Sequence, residues 1–213
     1  MPPSSVHVPG RRLILATANP GKLRELRELL ADMPFDLLGL HETGAAGAEE
    51  TGSTFIENAL LKARQAAARS PGAAAIADDS GLEVDALGGA PGIFSARYAG
   101  AGADDAANNA KLLRELAGVP GGRRGARYRC AMVYVDGPDD VEPLIAEGVW
   151  EGCILDAPRG SGGFGYDAYF WLPDLRLTAA QLSPADKNRL SHRGMALRAL
   201  RERLSARPRA ATA

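Results

Sequence analysis

The chain is poor in cysteine, in histidine and in net charge. Of 213 residues only two are cysteine, Cys130 and Cys153. They match no zinc-ligand or CxxC spacing, so neither a zinc site nor a redox pair is expected of them. They fit reduced residues in or near the core of a cytoplasmic protein; one disulfide between them is the alternative. A net charge of −1 gives no basic field, so no nucleic-acid partner is expected. No apolar run approaches the roughly 20 residues that span a membrane, so no membrane partner is expected. Residues 1–10, MPPSSVHVPG, lack the apolar stretch of a secretory signal. There is no internal repeat and no long linker. What remains is ordinary for a globular protein, with 46% hydrophobic and 24% charged residues. A chain of this length buries roughly 70% of its unfolded surface and needs no covalent staples. We expect a single domain over residues 11–205, with tails at 1–10 and 206–213.

Elements alternate along the chain. RLILAT (12–17) is a short apolar run between turn signals, hence a buried strand. PGKLRELRELLADM carries Leu23, Leu26, Leu29 and Leu30 at helical spacing, with Pro20 in the first turn. FDLLGL (35–40) reads as a second strand. Thr54 and Glu57 form a capping box ahead of the helix FIENALLKARQAAARS, and AAAIAD (73–78) is the next strand. DDAANNAKLLRELAG is a helix ended by Gly118. ARYRCAMVYVD alternates at period two, GPDD turns it, and VEPLIAEGVWEGCIL returns as the second arm of a hairpin. Near the end, Ser183 caps a helix with Pro184 at its first position, and Ser191 offers a second cap before the helical sequence runs on to about Leu204. The order implies an α/β fold with a mixed sheet.

Four loops and one helix start carry chemistry. TANPGK (17–22) joins a strand to a helix, whose free N–H groups and positive dipole end suit phosphate; Lys22 adds a cation. It is no Walker A loop: Ala16 stands where the first glycine belongs, and Leu23 follows the lysine. EETG (49–52) puts two acids in a loop. ADDSG (77–81) places Asp78 and Asp79 at the end of a buried strand, where two like charges need a cation or donors to compensate. Loops at the carboxyl ends of strands are where α/β sheets bind ligands. In GSGGFGYD (160–167), Gly160, Gly162 and Gly165 match G-x-G-x-x-G, but no βαβ unit opens there, so the dinucleotide reading is rejected. A glycine loop with one aromatic, Phe164, suits close approach of a flat ligand. KNRLSHRG holds Lys187, His192 and Arg193; His7 and His41 stay unassigned.

Taken in order, LATANPGKLREL, EETGSTFIENALLKA, IADDSGLEVDALGGAPGIFSARY, GGFGYD and DKNRLSHRG resemble the RdgB/Ham1 inosine triphosphate pyrophosphatases over about Leu13–Leu204. One departure is Ala18, where that family has glycine. A position needing positive φ would be strained by alanine, whereas one needing only a small side chain would not; we expect the second.

The resemblance implies an elongated mixed sheet flanked by helices, two lobes with a cleft between them, and a homodimer. It implies hydrolysis of aberrant purine nucleoside triphosphates, ITP, dITP and XTP, to the monophosphate and pyrophosphate, with Mg²⁺. Asp79 matches the general base and, with Glu49, the metal ligands. Asp78 is either a neighbour supporting them or a ligand itself. The loop Thr17, Ala18, Asn19, Pro20, Gly21, Lys22 would hold phosphates, Ser80 would donate to the substrate and Lys187 would contact it. Phe164, Gly165, Tyr166 and Asp167 would surround the base, and donors from His192 and Arg193 would meet its 6-oxo edge, which adenine lacks. Two alternatives are a Maf-like pyrophosphatase of different base specificity and a non-catalytic nucleotide-binding module. The SHR segment argues against the first, and the presence of Lys22, Glu49 and Asp79 against the second.

Overall fold

The computed structural model describes residues 10–44 and 47–206. The expected tails lie outside them except for Gly10 and Ala206, and so does His7. The centre is a seven-stranded mixed sheet in the order β2-β1-β3-β4-β5-β6-β7. β1 (Arg11–Leu15) lies between β2 (Phe35–Gly39) and β3 (Ala74–Val84), parallel to both. The crossovers are α1 (Pro20–Leu30) and α2 (Phe55–Ala68). β3 then pairs antiparallel with β4 (Gly125–Val135), and β4 with β5 (Leu144–Ile154), which is the expected hairpin. β6 (Phe170–Leu172) and β7 (Leu177–Thr178) extend the edge. α3 (Asp105–Glu115) connects β3 to β4, and α4 (Pro184–Leu190) and α5 (His192–Ala206) close the chain. No helix among the described residues is long and apolar enough to cross a membrane. Cys130 is buried and Cys153 half-buried, both as free thiols.

The aromatic stretch after the glycine loop forms β6, whose Phe170 and Leu172 both turn inward. One expectation changes: β3 does not stop at Asp78. It continues through Ala-Asp-Asp-Ser-Gly to Val84, so the acid pair sits mid-strand and not at a strand end. Successive side chains in a strand point to opposite faces. Asp78 and Asp79 are therefore on different sides of the sheet.

The Asp78 face carries two separate apolar cores. Ala74 and Ile76 pack with Cys130, Met132, Leu26, Leu30, Leu197 and Leu200, from α1 and α5. Further along the same strands, Leu82 and Val84 pack with Ala126, Tyr128, Trp150 and Phe170, under Leu112 and Leu116 of α3. Between the two cores β3 presents only Asp78 and Ser80. That polar gap between two dry clusters forms the floor of a cleft between two lobes. α5 can start there because Gly148 of β5 has no side chain: a Cβ would lie 2.1 Å from the His192 carbonyl oxygen. The Asp79 face carries a third core, where Ala75 and Ala77 pack under Ala59, Ala63, Ala66 and Ala67 of α2.

Candidate active site

The first loop holds the shape its sequence implies. Asn19 caps α1, its Oδ1 accepting from the Gly21 and Lys22 N–H groups at 2.8 and 3.1 Å. Pro20 follows in the first turn, where a missing N–H costs nothing. Thr17 Oγ1 accepts from the Asn19 N–H at 3.2 Å. Ala18 is exposed, and among the described non-glycine residues only Arg176 has a positive φ. Alanine is thus unstrained at position 18. Gly21 lets the Phe164 ring lie against the helix start, since a Cβ there would meet the ring at 2.6 Å.

Lys22 reaches under the loop to Asp78 at 3.0 Å. Asp78 is 1% exposed and also accepts from Arg193 Nε and Nη2 at 3.2 and 3.1 Å. Burial alone would raise its pKa; Lys22, Arg193 and Lys62 outweigh burial and hold it well below the carboxylate range. Arg193 is 1% exposed and fully engaged on three sides. Besides Asp78 it donates to Ser80 Oγ at 3.0 Å and to Glu25. Glu25 also pairs with Lys187 at 2.9 Å, and Lys187 with Asp167 at 2.6 Å. Asp167 further accepts from the Phe164 N–H at 2.9 Å and the Tyr128 hydroxyl at 3.2 Å. The Lys187 ammonium stands 4.7 Å from the Phe164 ring centre and the Arg193 guanidinium 5.8 Å, both within cation–π range. Tyr166 is buried and donates its hydroxyl to the Ser95 carbonyl at 2.7 Å.

His192 begins α5, and its ring stacks on Tyr128 at 4.7 Å. Ser191 caps that helix as expected, accepting from the Gly194 N–H at 3.3 Å. Burial, then Arg193 and Lys187, push the His192 pKa well below 6.5, so the ring is neutral. Its Nδ1 is buried with no hydrogen-bond partner among the described residues.

Across the sheet, Asp79 is 4% exposed. It accepts from the Lys62 ammonium at 2.7 Å and from the Asn58 amide at 3.3 Å. Asn58 also accepts the Gly52 N–H at 2.8 Å, which ties the acidic loop to α2. Lys62 bridges on to Glu50 at 3.0 Å, and Glu50 takes a second cation, Arg97. Burial raises the Asp79 pKa above its ordinary value, with Lys62 and Lys22 only partly offsetting it. Lys62 remains charged: burial works against it, but Asp79, Asp78 and Glu50 raise its pKa. Of the two loop acids, Glu50 is thus the half-buried, paired one, and Glu49 is exposed and pairs with no cation among the described residues.

The loops meet. One cavity of about 220 Å³ is lined by Thr17, Ala18, Asn19, Lys22, Glu50 and Lys62. A second, of about 250 Å³, is lined by Asn19, Lys22, Ser80, Phe164–Asp167, Lys187, His192 and Arg193. Asn19 and Lys22 border both. The arrangement is a phosphate-sized space beside an acid–lysine pair, continuing into a space walled by one aromatic ring. Sequence reasoning missed Glu25, Asn58 and Lys62. Asn58 left a trace: it is a polar residue at a fully buried helical position among alanines. Glu25 and Lys62 left none, because their partners lie far away in sequence.

Comparison with known proteins agrees with this geometry. A dITP/XTP pyrophosphatase of Thioalkalivibrio sulfidiphilus is 58% identical over 92% of this chain and 100% of its own length. One from Methylococcus capsulatus is 57% identical over 92% and 97%. A HAM1 protein structure from Coxiella burnetii superposes with a TM-score of 0.84 at 45% identity, covering 92% of this chain and all of that one. A Mycobacterium abscessus structure described as a nucleoside-triphosphatase, dITP/XTP pyrophosphatase, gives 0.69 at 43%, covering 89% and 97%. The Ham1 family model matches residues 13–203, and the chain belongs to that family.

Proposed function

We propose that the chain hydrolyses ITP, dITP and XTP to the nucleoside monophosphate and pyrophosphate. The observation that carries this reading is the continuity of the two cavities through Asn19 and Lys22. In this reading a triphosphate seated on the Thr17–Lys22 loop lies with its phosphates beside Lys62, the partner of Asp79, and its base toward Phe164. Fixed N–H dipoles and Lys22 are preorganised for the phosphate charge. Asp79, with its raised pKa, is the group that takes a proton from the attacking water. Lys62 keeps that carboxylate oriented and adds positive charge beside the phosphates.

The residues present fit a magnesium ion. Among the described residues no cluster of three or more His, Cys, Asp or Glu is placed to hold a metal. Mg²⁺ needs no such cluster, because one or two carboxylates complete its shell together with substrate phosphates and water. As the resemblance implies, Asp79 and Glu49 would hold it: Glu49 is exposed, and each Asp79 oxygen, bonded once to Lys62 or Asn58, keeps a lone pair for the ion. When bound, the ion neutralises charge growing on the phosphates and lowers the pKa of a bound water.

Base selection falls to the second cavity. A 6-oxo purine presents an acceptor where adenine presents a donor. The neutral His192 ring offers one N–H, and Arg193 keeps one Nη1 hydrogen beyond those given to Asp78, Ser80 and Glu25. Facing the adenine amino group with N–H donors rejects ATP.

The chain also works as a homodimer in this reading. Beyond the start of α2 the sheet is uncovered, with a groove of about 680 Å³ lined by Phe55, Pro91, Phe94, Glu83, Arg129 and Glu147. Exposed Phe94 and rows of alternating charge suit a second copy of the same face. Sedimentation at micromolar concentration checks this, with a monomer as the opposing result.

The test of the activity is pyrophosphate release from a panel of nucleoside triphosphates with and without Mg²⁺. Release from ITP, dITP and XTP far above ATP is expected. Orthophosphate in place of pyrophosphate, or equal rates on all bases, overturns the reading.

A further inference from the structure

The segment DDAANNAK has no role in the chemistry above. It is the N-cap and first turns of α3, and Asp105 lines the base-side cavity. Asp105 and Asn109 stand one turn apart on a single helix face. Asp105 Oδ2 accepts the Gly165 N–H at 2.6 Å. Asn109 Nδ2 donates to the Gly165 carbonyl at 2.9 Å, and also to the Asp105 carbonyl at 2.7 Å. One helix therefore holds both backbone polar groups of one residue in the base-side turn. Gly165 has φ 63°, a left-handed conformation that a flexible loop holds weakly unless its peptide groups are pinned. The neighbouring Asn108, 3% exposed, braces a second cleft segment, accepting the Ala99 N–H at 2.8 Å and donating to the Ala96 carbonyl at 3.2 Å.

We propose that Asp105 and Asn109 are positioning residues for base selection: by fixing Gly165 they hold Phe164 and Asp167 where the purine is read. The inference rests on the function proposed above. It carries a consequence for that site. The Gly165 N–H is already committed to Asp105, so the turn meets the base through Phe164 and its neighbours and not through that N–H. Discrimination between a 6-oxo and a 6-amino group depends on donors that cannot shift to accommodate the wrong partner. A loosened turn would accept both. The acid–lysine pair at Asp79 lies on the opposite sheet face and would not sense the change.

The experiment measures kcat and KM for ITP and ATP in Asp105→Ala, Asn109→Ala and the conservative Asp105→Asn, with amide hydrogen exchange at Gly165. Asp105 is exposed, so its alanine variant folds even if Asn109→Ala, at a buried position, does not. Expected are a KM for ITP raised about 10-fold, the scale of one lost charge-assisted hydrogen bond, and an ITP/ATP preference reduced by a similar factor. Meanwhile kcat stays near wild type, Gly165 exchanges faster, and Asp105→Asn, which keeps an acceptor, restores most of the preference. A selective wild type whose Asp105→Ala variant keeps both KM and preference overturns this inference alone. So does an equal loss on ITP and ATP through kcat. A wild type that does not favour ITP overturns the functional reading and this inference with it.

Discussion

Asp78 and Asp79 are adjacent in sequence and alike in chemistry, yet they live in opposite environments. Asp78 faces the polar gap between two cores, almost inaccessible, with Lys22 and Arg193 bonded to it. Its charge is locked, because the surrounding cations outweigh burial. Asp79 faces α2 and the acidic loop, with one lysine and one amide. There burial wins over the cations, and its proton affinity is raised. The strand's alternation makes the difference. One backbone supplies a permanent counter-ion to the cationic floor of the cleft and, one residue on, a titratable acid. A carboxylate locked at low pKa is a poor base, and a raised one is a better base.

Replacing each acid by its amide is the strongest way to break that comparison. Asp79→Asn should fold normally and bind nucleotide but lose turnover by at least about 10²-fold, the scale of a positioned general base. Asp78→Asn should show the reverse order of effects. It takes from Lys22 its carboxylate partner and leaves Arg193 with Glu25 alone, a loss of about 3–5 kcal/mol, seen as a fall in denaturant midpoint before any specific loss of chemistry. If Asp79→Asn retains most activity, or if Asp78→Asn unfolds no more easily than wild type, the division of labour between the two faces is wrong.

Lys22 belongs to both sides: it is bonded to Asp78, it lowers the Asp79 pKa, and it borders both cavities. Its role on phosphate persists in the ground state. Lys22→Ala should therefore raise KM by about 10- to 100-fold, one charge-assisted contact, with a smaller change in kcat. Steady-state kinetics on ITP checks it. A pure kcat effect with unchanged KM would place the lysine on the departing pyrophosphate instead.

The loops that build the cleft were legible because each carries its own local device. Asn19 and Ser191 cap helices, and the glycines of 160–165 mark a tight turn. The extent of β3 was not legible. An apolar run that ends in two acids reads as a strand end, because nothing local shows what compensates the charge. The compensation comes from Lys22, Lys62 and Arg193, residues brought in from three helices. For the same reason Arg193 read as a donor free to meet a base, whereas most of its N–H groups are committed to Asp78, Glu25 and Ser80. Periodicity finds faces of helices and strands; it does not find ion pairs between residues over a hundred positions apart.

The smallest expected effect sharpens the contrast from the Asp78 side, where folding holds His192 neutral and so makes stability depend on pH below 6.5. Its neighbours Arg193, Lys187 and Lys22 are cations, Asp78 only partly offsets them, and burial adds to the penalty on a second proton. The folded value is depressed below the unfolded 6.5. Below that pH the unfolded chain gains a proton at His192 that the folded chain refuses. Stability is therefore full above pH 6.5 and falls as the pH drops from there toward the folded value. One such group costs at most about 1.4 kcal/mol per pH unit. Unfolding free energies from denaturant titrations at pH 7.5 and 5.5 should differ by about 1.4 kcal/mol in the wild type, with the midpoint lower at pH 5.5. His192→Phe keeps a flat ring on Tyr128 and removes the proton site, so its midpoints should converge. A pH dependence that persists unchanged in His192→Phe would assign the proton uptake elsewhere and leave the Asp78 face with no titrating member in this range.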